Sequence, residues 1–403
     1  MNVRVRPDGD KWIAYFPQSG RVLETNITGA RILELVCNGE HELCQVAEQI
    51  SSECGALIET VRDDATSFLE QVERELRPDV FNLVEQRQYQ VPMGVELQLN
   101  ETCNLRCAHC FQDNYRTSAT MPADRALAII DELGAKKVFE VSLIGGEPLL
   151  YQDLELVIER CRHWGLSVSL TTNATLVTEA IAEMFQRLQV RTYVSLDGVG
   201  TIHDLIRGEG NFARTEAAIG LLQNHDVTVD VLFTLNALNM DHYEQMIDYC
   251  DTHRLSCNFN LFKPFKPEHQ HLVVPPDRFF KICRDLHKRR RDGQGIGFSN
   301  AAIAALLMGQ EPRQECTATL AGLVIDPCGR MLSCPGLVSC GHINEDDLPM
   351  FDENWLDTWH NHPVFTQFRD NGLTGCQVRS CIFCGDPKTP DPYSAAALRQ
   401  YLE

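Results

Sequence analysis

Three cysteines, Cys103, Cys107 and Cys110, stand in a C-x3-C-x2-C spacing. Thiolates this close in sequence can take one metal centre between them. They cannot complete the ligation of a four-iron cluster, so a 4Fe-4S centre held this way keeps one iron open to another ligand. A structural zinc would want a fourth protein ligand, and His109 is the only local candidate. It sits between two of the cysteines, unlike the usual paired ligand knuckles.

The triplet is followed by an aromatic, Phe111, and this resembles the signature of the radical S-adenosylmethionine (SAM) enzymes. Gly145-Gly-Glu-Pro148 after an apolar run, Thr171-Thr-Asn173, Ser195-Leu-Asp-Gly198 and Arg207-Gly-x-Gly-Asn-Phe212 resemble the counterparts of that family and stand in its order. The resemblance covers about residues 93 to 262. It implies a 4Fe-4S cluster on the three cysteines, with SAM chelating the open iron through its amino and carboxylate groups. Gly145 and Gly146 would let backbone approach the methionine end, and Glu147 would offer acceptors to the ammonium. Asn173, Ser195 and Arg207 are implied for the carboxylate and ribose, Arg207 having the forked geometry a carboxylate fits. A surface position is a readier reading of Asp197 and Thr172 than of Glu147. An electron from an external donor such as flavodoxin or ferredoxin would cleave SAM to methionine and a 5'-deoxyadenosyl radical, which abstracts hydrogen from substrate. No catalytic acid, base or hydrogen donor is legible.

A second cysteine group reads Cys316-x11-Cys328-Gly-x4-Cys334-x5-Cys340, then Cys376-x4-Cys381-x2-Cys384. It resembles the auxiliary-cluster modules called SPASM and twitch, and Cys316, Gly329 and Cys334 match their opening. The terminal spacing departs from the commonest SPASM pattern. The resemblance implies one auxiliary iron-sulfur cluster on Cys316, Cys334, Cys381 and Cys384, with Cys328, Cys340 and Cys376 left for a second cluster or for substrate. A zinc ribbon is the alternative, since zinc accepts the same thiolates.

The elements that must position these groups alternate. Strands are expected at 93–99, 137–144, 166–172, 191–197, 227–235 and 256–262, with amphipathic segments between them, one helix beginning at Pro122 and stopping at Gly134. Six such units imply a parallel sheet with right-handed crossovers, two short of a closed eight-stranded barrel. The fold expected is α/β, a partial (β/α)6 radical SAM barrel with each motif at a carboxyl strand end. Helices are expected at about 277–291 and 299–309.

Ahead of the barrel, Lys11 to Phe16 and the stretch near Arg21 to Leu23 suggest a short hairpin. A helix capped by Asn26 or Thr28 and stopped at Asn38-Gly39 follows, then one burying Leu43, Val46, Ala47 and Ile50, then one through Val61, Ala65, Phe68, Leu69, Val72 and Leu76. This is a winged-helix-like unit, yet residues 1 to 80 hold 8 Lys or Arg against 15 Asp or Glu, a net charge of -7. That balance speaks against DNA. The pattern from Val22 to Gly39 is similar to the precursor-peptide-recognition domain of pyrroloquinoline quinone biosynthesis, which implies strand addition of a peptide leader to residues 1–80. A structural cap is the alternative.

The 403 residues therefore divide into a peptide-recognition domain (1–80), a linker (81–92), a radical SAM partial barrel (93–310) and an auxiliary-cluster domain (311–403). A formal charge of -20 argues against nucleic acid as a partner. Seventeen cysteines in a large chain without a signal-like amino terminus point to metal rather than disulfides, and no apolar run is long enough for a membrane. The expectation is a cytoplasmic, iron-sulfur, peptide-modifying oxidoreductase that matures a ribosomally synthesised precursor peptide (RiPP). The alternative is a radical SAM dehydrogenase or maturase for a small molecule or protein partner.

Overall fold

A computed structural model describes residues 3–18, 21–39, 42–76, 88–110, 119–262, 264, 267–298, 317–335, 338 and 343–370. The chain divides into two compact units, Met1–Val91 and Pro92–Glu403.

The first unit opens with a three-stranded antiparallel sheet, β1 (Arg4–Asp8), β2 (Lys11–Phe16) and β3 (Arg21–Thr25), in that spatial order. The hairpin is legible in the sequence; β1 is not, because Pro7 and three charged residues in five disguise it. As an edge strand it tolerates a proline, which there removes no central ladder bond. Three helices follow: α1 (Ile27–Asn38), α2 (Leu43–Cys54) and α3 (Ile58–Glu75). Asn26 caps α1, its side chain accepting from the Gly29 amide at 2.8 Å. Val46, Ala47, Ile50, Val61 and Ala65 join in one core, and Ala14, Phe16, Leu23, Leu33 and Val72 in another between sheet and helices. Residues 88–91, expected as linker, pack on β1: the Gln90 amide donates to Asp8 at 2.9 Å, Arg6 donates to the Val91 carbonyl at 2.6 Å, and Tyr89 is buried. The rest of the expected linker before Gln88 lies outside the described residues.

The second unit is built on a nine-stranded sheet. Its expected strands are β4 (Gly94–Gln98), β5 (Glu140–Ile144), β6 (Ser167–Thr172), β7 (Arg191–Ser195), β8 (Val229–Leu235) and β9 (Ser256–Leu261), paired parallel in chain order. Between them run α4 (Ala123–Ala135), α5 (Leu154–His163), α6 (Glu179–Arg187), α7 (Thr201–Arg207), α8 (Asn211–Asn224) and α9 (Tyr243–Thr252). Then come α10 (Pro276–Arg291) and three strands the sequence does not announce. β10 (Ile296–Phe298) adds parallel to β9, and β11 (Gly322–Ile325) adds parallel to β4 and forms a hairpin with β12 (Met331–Leu332). The order is β10-β9-β8-β7-β6-β5-β4-β11-β12, an α/β fold with a parallel core. The helix expected at 299–309 lies outside the described residues.

Side chains alternate across this sheet with the period of two that a pleated strand imposes. Val95, Leu97, Val141, Leu143, Val168 and Leu170 are buried on one face. The other face carries Gln98, Ser142, Ser169, Tyr193, Asp230 and Asn258, a polar lining unusual for parallel strands, which more often read as continuous apolar runs. Some of these groups satisfy one another within the sheet: Ser169 donates to Glu140 at 2.8 Å and Arg191 to Asp230 at 2.6 Å. No helix among the described residues is long and apolar enough to cross a membrane.

β4 carries the cysteine loop, so its core anchor sets the loop's foundation. Leu97 is wholly buried there. Replacing it with Ala is expected to destabilise the second unit by about 2–5 kcal/mol through lost transfer energy and the cavity left behind. Urea unfolding followed by tryptophan fluorescence measures this.

Candidate active site

The cysteine loop leaves β4 and is laced to the turn that leaves β5. The Gly146 amide donates to the Asn100 carbonyl and the Glu147 amide to the Thr102 carbonyl, each at 2.9 Å. The two glycines make that approach possible. A Cβ on Gly146 would stand 2.4 Å from both the Glu101 and Thr102 carbonyl oxygens, and one on Gly145 would stand 2.2 Å from Oδ1 of Asn100. Those spaces are filled by the chain itself, so the pair is required for the loop's seat before any ligand arrives.

Glu147 is 1% exposed, yet charged groups are rarely buried without partners. Its Oε1 accepts from the Thr172 hydroxyl at 2.6 Å and the Leu149 amide at 3.1 Å, and Oε2 accepts from the Asn173 amide at 2.8 Å. Burial pushes its carboxyl above the usual range against the pull of those hydrogen bonds. The carboxylate therefore clamps the end of β5 to the end of β6. Thr172, for which a surface position is a readier sequence reading than for Glu147, is buried as a member of this clamp. Asn173 continues the network toward the cysteines: its Nδ2 donates to Asn104 at 2.9 Å and faces the Cys103 sulfur at 4.0 Å. The Leu105 amide points at the same sulfur from 3.4 Å.

A second buried carboxylate organises the opposite side. Asp197, after β7, is fully buried, which corrects the surface reading. Its Oδ2 accepts from Arg207 Nε at 2.5 Å and lies 3.3 Å from His109 Nε2, while Oδ1 accepts from the Thr234 amide at 2.8 Å. The Asn239 side chain donates to its carbonyl at 3.0 Å, and its own amide donates to His203 Nδ1 at 3.2 Å. Burial alone would raise the Asp197 carboxyl; the Arg207 guanidinium outweighs it, aided by His109 and the Thr234 amide, and holds it below the ordinary value. Arg207 ends α7 and turns Nη1 toward the Cys107 sulfur at 3.7 Å. The Ala108 amide donates to the Ile206 carbonyl at 2.8 Å, which fixes the loop to the same helix end. Burial pushes the Cys107 thiol up to about 11 and His109 down to about 4.

Cys103, Cys107 and Cys110 thus share one loop, each partly exposed, with Glu147, Asn173 and Arg207 around them. Ser195 is the last residue of β7, two positions before Asp197. The donor set fits an iron-sulfur cluster in kind: three thiol sulfurs on one loop, two of them faced by N–H groups, although burial raises the Cys103 and Cys107 thiols. Sequence reasoning misses His203, Thr234 and Asn239, and weighs His109 only as a metal ligand. Their signal is tertiary and leaves no spacing to read.

Of the second cysteine group, Cys328 and Cys334 are described; Cys316, Cys340, Cys376, Cys381 and Cys384 lie outside the described residues. Cys328 is exposed at the tip of the β11–β12 hairpin, with its amide donating to Asp326 at 2.9 Å. Gly329 follows at φ +81°, a left-handed conformation that suits glycine. Arg125 of α4 packs beside Gly329 and donates to the Phe351 carbonyl.

Known proteins share both the sequence patterns and the fold. The Radical SAM superfamily profile matches residues 97–250, and that of Coenzyme PQQ synthesis protein D (PqqD) matches residues 11–75. Mycofactocin maturase MftC of Mycolicibacterium smegmatis is 24% identical over 328 residues, covering 75% of this chain and 78% of the maturase. AdoMet-dependent heme synthase of Methanosarcina barkeri is 25% identical over 344 residues, covering 75% of this chain and 96% of the synthase. Among solved structures, Streptococcus suis SuiB bound to its precursor peptide SuiA superposes with a TM-score of 0.68 at 14% identity, covering 91% of this chain and 89% of that one. That likeness shows the shared fold.

Glu147→Gln preserves shape but turns an amide donor toward groups that also donate. Leaving one buried amide unsatisfied is expected to cost about 1–3 kcal/mol. A chemical-denaturation midpoint identical to that of the parent protein would dismiss the clamp.

Proposed function

The chain carries a radical SAM domain over residues 97–250 and a PqqD-like domain over residues 11–75, and from that premise we propose that it is a maturase of a ribosomally synthesised precursor peptide. The observation that carries the reading is the joining of these two domains in one chain. The cysteine loop supplies a site for one-electron chemistry, and the first unit supplies a sheet with β3 at its edge, suited to strand addition by an extended leader.

In this reading Cys103, Cys107 and Cys110 hold a 4Fe-4S cluster with one iron left for SAM. When bound, the pair supplies a 5'-deoxyadenosyl radical after an electron from a flavodoxin- or ferredoxin-class donor. The chain's own residues bind, orient and shield. Gly145 and Gly146 keep the loop after β5 flat against the cysteine loop, and Glu147 ties it to β6 while contributing to the ammonium end of SAM. Asn173 and Ser195 stand at neighbouring strand ends, where a ribose and carboxylate would lie, and Arg207 closes the same side. Cys316, Cys334, Cys381 and Cys384 are the proposed ligands of an auxiliary iron-sulfur cluster, with Cys328, Cys340 and Cys376 available for a second. The protein works in the cytoplasm, without nucleic acid or membrane partners.

Tethering explains why recognition and chemistry share a chain. A disordered peptide binds weakly per unit of interface, and holding its leader makes entry of the core segment effectively intramolecular. A second reading, a maturase or dehydrogenase for a small molecule or protein partner, draws on the likeness to the heme synthase.

Replacing Cys103, Cys107 and Cys110 together by Ala is expected to remove one cluster's worth of iron and abolish 5'-deoxyadenosine formation. Iron analysis and chromatography of the SAM products check both. Deleting residues 1–91 is expected to spare SAM cleavage without substrate while severely reducing modification of the full precursor. Full activity of the shortened protein on that peptide would move the small-molecule reading to first place.

A further inference from the structure

Arg207 is expected from the sequence at the carboxylate of SAM, but its position suggests another task. Its side chain is 11% exposed. Nε is committed to Asp197 at 2.5 Å and Nη1 to the Cys107 sulfur at 3.7 Å, so two of its three nitrogens are engaged by the chain itself. The guanidinium is held rigidly: Asp197 is anchored in turn by the Thr234 amide and, through its carbonyl, by Asn239.

We propose that Arg207 sets the reduction potential of the iron-sulfur centre on Cys103, Cys107 and Cys110, by donating a charge-assisted hydrogen bond to the Cys107 sulfur while Asp197 holds it in place. The proposal rests on the reading of these three cysteines as cluster ligands. Hydrogen bonds to cluster sulfurs, and the net charge around them, are among the levers that set such potentials. Reduction transfers one electron from an external low-potential donor to the cluster, adds one negative charge there and moves no proton. A donor on a ligand sulfur stabilises the more negative state, so Arg207 favours reduction. Asp197 offsets much of the guanidinium's distant field, which leaves the local contact with sulfur as the dominant effect. It also explains an arginine here. Only a planar fork reaches the carboxylate and the sulfur at once, whereas an ammonium is a single point charge.

The test is a potentiometric titration followed by electron paramagnetic resonance on the anaerobically reconstituted full chain, without SAM. The signal absent from the triple Cys103, Cys107 and Cys110 to Ala variant is assigned to this site. Arg207→Gln is expected to shift its midpoint to a more negative potential, and Arg207→Lys to shift it the same way by less. If Gln prevents cluster loading, the Lys variant carries the measurement. A midpoint equal to that of the parent in both variants overturns the proposal. Weakened SAM binding with that unaltered midpoint would return Arg207 to the role of SAM ligand. A triple variant that loses no signal would instead overturn the cluster reading beneath it.

Discussion

A carboxylate with no exposure to water is the constraint around which the site is arranged. In a medium of low dielectric Asp197 can stay ionised only with a cation against it and hydrogen bonds on its remaining lone pairs. Arg207, His109 and the Thr234 amide meet that requirement, and they come from the end of α7, the cysteine loop and β8. Solvating one charge therefore brings three distant parts of the chain to one point. Removing a partner from such an ion leaves an uncompensated buried charge, a penalty far larger than the net worth of the pair.

Glu147 does the corresponding work on the other side, and the two carboxylates act differently. Glu147 is satisfied by neutral donors and has a raised pKa, whereas Asp197 faces a guanidinium and has a lowered one. One clamp joins β5 to β6, and the other joins the region beyond β7 to β8 and α7. Between them the two clamps seat the cysteine loop.

Much of this arrangement is legible in the sequence. Local spacing identifies the three cysteines, the glycine pair and the strand each motif follows, because all are short-range patterns. The six central strands stand at the expected places, since alternation over five to seven residues is a strong signal. The elements that escape have a common cause. β1, β10 and β11 are short or charged, and they are strands only because a partner edge accepts them. Asp197, Thr172, His203 and Asn239 are polar, and a polar residue reads as surface until the groups that satisfy it are brought from elsewhere in the chain.

The pairing of β11 with β4 bears on how the protein is made. During synthesis β4 and its cysteine loop emerge long before Gly322–Ile325, so this flank of the sheet stays an uncapped edge through most of translation. Exposed edges invite pairing with the wrong chain. The nascent chain is thus most in need of a chaperone in this interval, which the late strand ends.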